Sequence, residues 1–339
     1  MPWDIFAHEW AARLLQQHIA GGEARHAYLF TGPPGVGRRS LALRFAQALN
    51  CLQPPAPGEP CGHCRACDLI ARQQHPDLSI LQVEEDARQI KVEQVRTLQR
   101  ALSLSPYEAR YRVALLLDFQ RATPSTQNAM LKTLEEAPEK VVLLLTAGSA
   151  EDLLPTITSR CEVLRLRPAP LQSLEEALTA RWGVPPDEAR LLAHISGGRP
   201  GYALRLRDNP ALLEQRQTWL LELGELLGMP LRERLAWSEQ NRRKPDRDEL
   251  RERLQTWLTF WRDLLLVASG AGAPLTNIDF SADLRRLGGQ ISMAEARDRA
   301  ADLEKALVRL DANLNARLVV ENLLLAWPRV SQPSELFLE

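Results

Sequence analysis

Apolar and polar positions follow two different rhythms along this chain. In the first half, short apolar segments stand between amphipathic ones: Ala27 to Phe30, Leu78 to Leu81, Val113 to Leu117 and Val141 to Leu145. Segments this short with almost no polar face predict strands covered on both sides. Between them, Glu9 to Ile19, residues 90–102 (with Ile90, Val95, Leu98 and Leu102 near helical spacing) and Asn128 to Glu136 predict helices, the last stopped with the help of Pro138. Alternation of buried strands with helices predicts an α/β domain on a mainly parallel sheet. Beyond Arg167 the strand rhythm ends. Leu171 to Trp182 and Asp187 to Ile195 predict short helices around a Pro-Pro break, and Gly197 to Gly201 marks a turn before another helix. From Asn209 onward the period is helical. The stripe Leu303, Leu307, Leu310, Leu314, Leu318 and Leu325 predicts one long bundle helix.

A chain of 339 residues, 45% hydrophobic, is long enough for two or three domains with their own cores. Charged residues make up 25% yet balance to a net charge of -1, so no whole-protein field draws the chain to nucleic acid or anionic lipid. No window approaches the roughly twenty apolar residues that span a bilayer, and the N-terminus has neither a basic start nor an apolar run. The expectation is a cytoplasmic protein with no membrane partner.

The segment TGPPGVGRRS, Thr31 to Ser40, lies between a predicted strand and a predicted helix, the layout of a phosphate-binding loop. The usual pattern is G-x-x-x-x-G-K-[ST]. Gly32 and Gly37 are in place, with Gly35 between them, but Arg38 and Arg39 hold the last two positions. Backbone N–H groups at the helix start still favour phosphate. Arg38 keeps a charge with a planar head, Arg39 offers no oxygen to Mg²⁺, and Ser40 comes one position late. The apolar strand ending at Asp118 supplies one acid for a metal, but Phe119 stands where many ATPases carry a glutamate. The residues therefore favour a loop kept for its fold over Mg-ATP hydrolysis.

Four of the five cysteines read C-x9-C-x2-C-x2-C, at Cys51, Cys61, Cys64 and Cys67. Two-residue gaps let thiolates turn toward one tetrahedral ion, and four ligands leave no open position, so a structural zinc is expected. His63 and His75 are alternative ligands that four thiolates make unnecessary. Arg160, within Thr158-Ser159-Arg160-Cys161, is by itself more simply a surface or ion-paired arginine; presented at an edge, it would reach phosphates on a neighbouring subunit.

Residues 128–161, NAMLKTLEEAPEKVVLLLTAGSAEDLLPTITSRC, resemble the segment shared by subunits of the bacterial DNA polymerase III clamp-loader family, of the AAA+ class. HAYLFTGPPGVG (26–37) and the four-cysteine insertion are similar to that family too, and Asn313, Asn315, Leu318 and Glu321 resemble its collar more weakly. Within the family, Arg38, Arg39 and Phe119 resemble the member with a degraded nucleotide site rather than the ATPase subunit (gamma/tau). Ala147 and Gly148 stand where the latter has threonines, and Gly201 where it carries a phosphate-sensing arginine, with Arg199 two residues away. The resemblance implies an AAA+ α/β domain over 1–167 with a zinc module at 51–67, a helical lid over 168–207 and a helical collar over 208–339. It also implies a hetero-pentamer with gamma/tau and delta subunits that opens the sliding clamp and loads it on primed DNA. Arg160 would act as an arginine finger in trans, with no ATP bound by this chain. Two rivals stay open: an active ATPase of the same fold with Arg38 in place of lysine, and a zinc-dependent nucleic-acid-binding module around Cys51 to Cys67.

Overall fold

A computed structural model describes residues 3–84, 87–240, 247–312 and 314–330. It divides into two compact units, Met1–Pro170 with Arg199–Tyr202, and Leu171–Gly198 with Ala203–Glu339.

The first unit runs α1 (Glu9–Ala20), β1 (Ala27–Thr31), α2 (Arg38–Asn50), α3 (Arg65–Ala71), β2 (Leu78–Leu81), α4 (Val92–Leu102), β3 (Arg112–Leu116), α5 (Pro124–Glu135), β4 (Val141–Ala147), α6 (Pro155–Thr158) and β5 (Glu162–Arg165). The strands form one sheet in the order β2-β3-β4-β1-β5, and every pairing is parallel. This is the parallel α/β sheet that the apolar rhythm leads one to expect. Side chains alternate across it as the pleat requires. Tyr28, Phe30, Leu115 and Leu144 pack on one face with Leu41 and Phe45 of α2; Leu29, Leu116, Leu143 and Leu145 pack on the other with Phe119, Met130 and Ile157. Because both faces are covered, β1, β3 and β4 are buried along their whole length. The loop after β1 and the turn after β3 both open at the C-terminal edge of this sheet, where α/β folds place their ligands.

Two local differences from the pattern have simple causes. Ile90 is not helical: it bridges Ala122, and α4 starts two residues later. Helix α5 starts earlier than its apolar period, because the Thr123 side chain accepts from the Thr126 N–H and Pro124 sits at the first helical position.

The second unit is helical, with α7 (Leu171–Trp182), α8 (Pro186–Ser196), most of α9 (Pro200–Asp208), α10 (Ala211–Gly228), α11 (Leu231–Gln240), α12 (Arg247–Ala268), α13 (Ser281–Gly288), α14 (Met293–Asp311) and α15 (Ala316–Ala326). Leu220, Leu223, Trp257, Trp261, Leu303, Leu324 and Trp327 share its main core. Arg234 is buried there and donates to the carbonyls of Leu227 (3.0 Å), Trp327 (2.7 Å) and Pro328 (2.7 Å), a positive charge at the carboxyl ends of α10 and α15.

The single long helix expected from Leu303 to Leu325 is corrected to two. Asn315 accepts from the Arg317 N–H and starts α15 anew, so Leu314, Leu318 and Leu325 are exposed rather than part of one buried stripe. Asn313 lies outside the described residues. Among the described residues no helix is long and apolar enough to cross a membrane.

Candidate functional site

The loop after β1 owes its shape to three glycines with positive φ: Gly32 (143°), Gly35 (82°) and Gly37 (113°). Space excludes side chains as firmly as the backbone does. A Cβ on Gly32 would lie 2.4 Å from the Leu166 carbonyl oxygen, and one on Gly35 would lie 2.8 Å from the Tyr202 nitrogen. The Gly201 N–H donates to the Gly35 oxygen at 2.8 Å, and a side chain at 201 would meet that same oxygen. Arg199, two residues earlier, lies over the Tyr202 ring at 4.6 Å. Behind the loop, the buried His8 places Nε2 at 2.8 Å from the Val36 carbonyl, to which it donates. Burial lowers its pKa, which keeps the imidazole neutral there.

In front of the loop is a cleft of about 350 Å³ whose walls include Gly35, Arg38, Asp118, Arg121, Thr146 and Gly201. Arg38, on the first turn of α2, is 9% exposed, and its Nη2 donates to Asp118 Oδ1 at 2.9 Å. Asp118 is held in the left-handed region (φ 47°, ψ 51°), and its N–H donates to Thr146 Oγ1 at 2.8 Å. The loop cation and the acid at the end of β3 thus engage each other. In a Mg-ATP site the first would face phosphate and the second the metal. The Arg38 Nη1 is buried and has no partner among the described residues. Arg39 borders the same cleft but hydrogen-bonds Gln73 Oε1. Phe119 is fully buried in the core beneath the sheet, so its role is packing.

The four cysteines come together. Their sulfurs all lie within 4.8 Å of one another, and Cys51 Sγ is 4.0 Å from Cys64 Sγ. Thiolates at about 2.3 Å from a tetrahedral zinc stand roughly 3.8 Å apart, so the cluster needs little adjustment to close on one ion. Backbone donors already point at sulfur: the Cys61 N–H to Cys51 Sγ at 3.2 Å, and the Cys64 N–H to Cys61 Sγ at 3.3 Å. Burial pushes the thiols of Cys51 and Cys67 up. At Cys64 burial is outweighed by the Cys67 and Leu52 backbone groups and the neighbouring thiols, which hold it down at about 6. His63 Nδ1 bonds instead to the Cys61 carbonyl, and His75 Nδ1 accepts from the Asp77 N–H, so neither belongs to the cluster. Cys67 lies on α3, whose position is fixed against α2 by the bond from Gln47 Nε2 to the Cys67 carbonyl at 2.7 Å.

Arg160 follows α6 and does not border the cleft. Its Nη2 pairs with Glu135 Oε1 at 2.6 Å and its Nη1 donates to the Thr156 carbonyl at 2.8 Å, while a third of the side chain stays exposed. The next residue, Cys161, has its thiol pushed up to about 12 by burial, which makes it a packing residue. Sequence reasoning missed His8, Thr146 and Glu135. The first two carry no local pattern, whereas Glu135 stands inside the quoted LKTLEE segment.

The family model described as DNA polymerase III, delta subunit, matches residues 7–170. The DNA polymerase III subunit delta' of Pseudomonas aeruginosa is 38% identical over 61% of this chain and 63% of its own length. The subunit delta' of Bacillus subtilis is 28% identical over 92% of this chain and 94% of its own length. The DNA polymerase III subunit tau of Escherichia coli is 31% identical over 66% of this chain, but only 35% of its own length.

Proposed function

We propose that the chain, similar to the DNA polymerase III delta prime subunits, is the clamp-loader subunit of that family and the member of the loader ring that hydrolyses no nucleotide itself. The observation that carries this reading is the ion pair of Arg38 with Asp118 at 2.9 Å. Asp118, engaged by this guanidinium, is drawn away from the Mg²⁺ that it would hold in a Mg-ATP site. Arg39 offers the metal no oxygen, and Phe119 cannot polarise water. Without a nucleotide to exchange, the subunit is a rigid, positional part of the ring.

In this reading the chain assembles with gamma/tau and delta subunits into a cytoplasmic hetero-pentamer that opens the sliding clamp and places it on primed DNA. The α/β domain spans 1–167, the lid 168–207 and the collar 208–339, whose exposed Leu314, Leu318 and Leu325 suit an oligomerising surface. Cys51, Cys61, Cys64 and Cys67 hold a structural zinc, which cross-links the chain after α2 to α3. Arg160 serves an adjacent gamma/tau subunit, where a guanidinium stabilises charge that develops on the transferring phosphoryl group.

The active-ATPase alternative has one observation in its favour, the buried Arg38 Nη1 without a partner among the described residues. It still lacks a ligand for Mg²⁺, because Asp118 is engaged by the same guanidinium. The test of the proposed role is Arg160→Ala in a loader reconstituted with its ATPase and delta subunits, clamp and primed DNA. The ring should assemble normally, and clamp-dependent ATPase should fall. The fall should be below the ~10³ of a sole arginine finger, since other subunits supply their own. Unchanged ATPase and unchanged loading would remove the claim.

A further inference from the structure

Glu135 is the last residue of α5, the end of a helix where a negative charge is disfavoured by the exposed carbonyls. Its carboxylate accepts from Arg160 Nη2 at 2.6 Å across 25 residues of sequence, joining the end of α5 to the residue that follows α6. The same guanidinium is fixed on its other arm by the Thr156 carbonyl at 2.8 Å and Ser159 Oγ at 3.3 Å. Five N–H groups are present on an arginine fork. Three are thereby engaged, and Nε and the second Nη2 hydrogen have no partner among the described residues.

That arrangement does more than neutralise a surface charge. A free arginine side chain loses considerable rotamer freedom when it binds, whereas a fork already held by a carboxylate, a carbonyl and a hydroxyl loses little. With two donors left over, the fork can take an oxyanion without first releasing its supports. From this geometry we infer that Glu135 is the positioning residue for Arg160, holding the guanidinium ready for a phosphate oxygen of a nucleotide on the neighbouring subunit. The inference rests on the trans role proposed above for Arg160. Glu135 itself touches no nucleotide. Its carboxylate supplies an acceptor, so glutamine should replace it and alanine should not.

The experiment compares Glu135→Ala, Glu135→Gln, Arg160→Ala and the double variant Glu135→Ala/Arg160→Ala in the reconstituted loader, reading kcat and KM of clamp-dependent ATPase. Immobilising one such side chain is worth about 3- to 10-fold, so Glu135→Ala should lower kcat by that factor with KM for ATP nearly unchanged. Glu135→Gln should stay within about twofold of the parent, because the acceptor oxygen is retained. The double variant should be no slower than Arg160→Ala alone, since the carboxylate acts only through the arginine. If Arg160→Ala slows the loader while Glu135→Ala leaves it unchanged or speeds it, Glu135 does not position the fork and this inference falls alone. Additive losses in the double variant would overturn it as well. If Arg160→Ala itself has no effect, the trans role fails and takes the inference with it.

Discussion

The phosphate-type loop and the four-cysteine module lie close together in sequence, and each has a recognisable spacing of residues. They use their chemistry in opposite ways. In the loop, the charged groups that would face a ligand face each other: Arg38 pairs with Asp118. In the module, four sulfurs converge and backbone N–H groups point at them, an arrangement that could hold a cation. A site can keep the outline of a motif while its charges cancel internally. Spacing of residue types alone does not distinguish the two outcomes; the direction in which the donors and acceptors point does.

The largest effect should come from emptying the module. Structural zinc stabilises small metal-bound domains by about 10 kcal/mol or more, and less where, as here, the module packs on a larger core. Removal by a strong chelator, or Cys64→Ser, should lower the melting temperature by roughly 10 °C or more. Metal analysis of chelator-free protein should give about one zinc per chain. Well under one zinc, or a melting curve indifferent to chelation, would make the two regions alike.

A smaller effect, shared by the two histidines, makes stability depend on pH. His8 supports the loop through the Val36 carbonyl, and the His75 Nδ1 accepts from the Asp77 N–H just ahead of β2. Burial is the leading cause that holds both imidazoles below their ordinary 6.5. The unfolded chain therefore binds these protons first as pH falls. Stability that is fully present above 6.5 is lost as pH drops through that value and toward the folded pKa of each ring. Denaturant midpoints should fall between about pH 7.5 and about pH 5.5. In His8→Gln, which keeps a donor for Val36, the slope should flatten; an unchanged slope would mean that His8 does not contribute.

Much of the fold is legible in the sequence because β1, β3 and β4 are covered on both faces and therefore read as unbroken apolar runs. Strand β5 is not legible: it lies at the sheet edge, and Glu162 and Arg165 flank only two apolar residues. The long stripe from Leu303 to Leu325 misleads because periodicity does not register the Asn315 cap that breaks it. At the candidate site, the loss of the lysine and hydroxyl is plain from Arg38 and Arg39. The partner of Arg38 is 80 residues away, and only folding brings Asp118 to it. Glu135 is likewise visible as a letter of a motif, but its bond to Arg160 depends on how α5 and α6 end beside each other.

The most direct measurement is calorimetric titration of Mg-ATP into the full, zinc-loaded chain, with Arg38→Lys/Arg39→Thr beside it. The expected result is no binding heat from the native chain up to about millimolar nucleotide, a limit of roughly 4 kcal/mol, with binding appearing in the variant once Asp118 is released and a hydroxyl is supplied. Micromolar binding by the native chain would contradict it: Arg38 would then be serving phosphate rather than Asp118, and the loop would be a working nucleotide site.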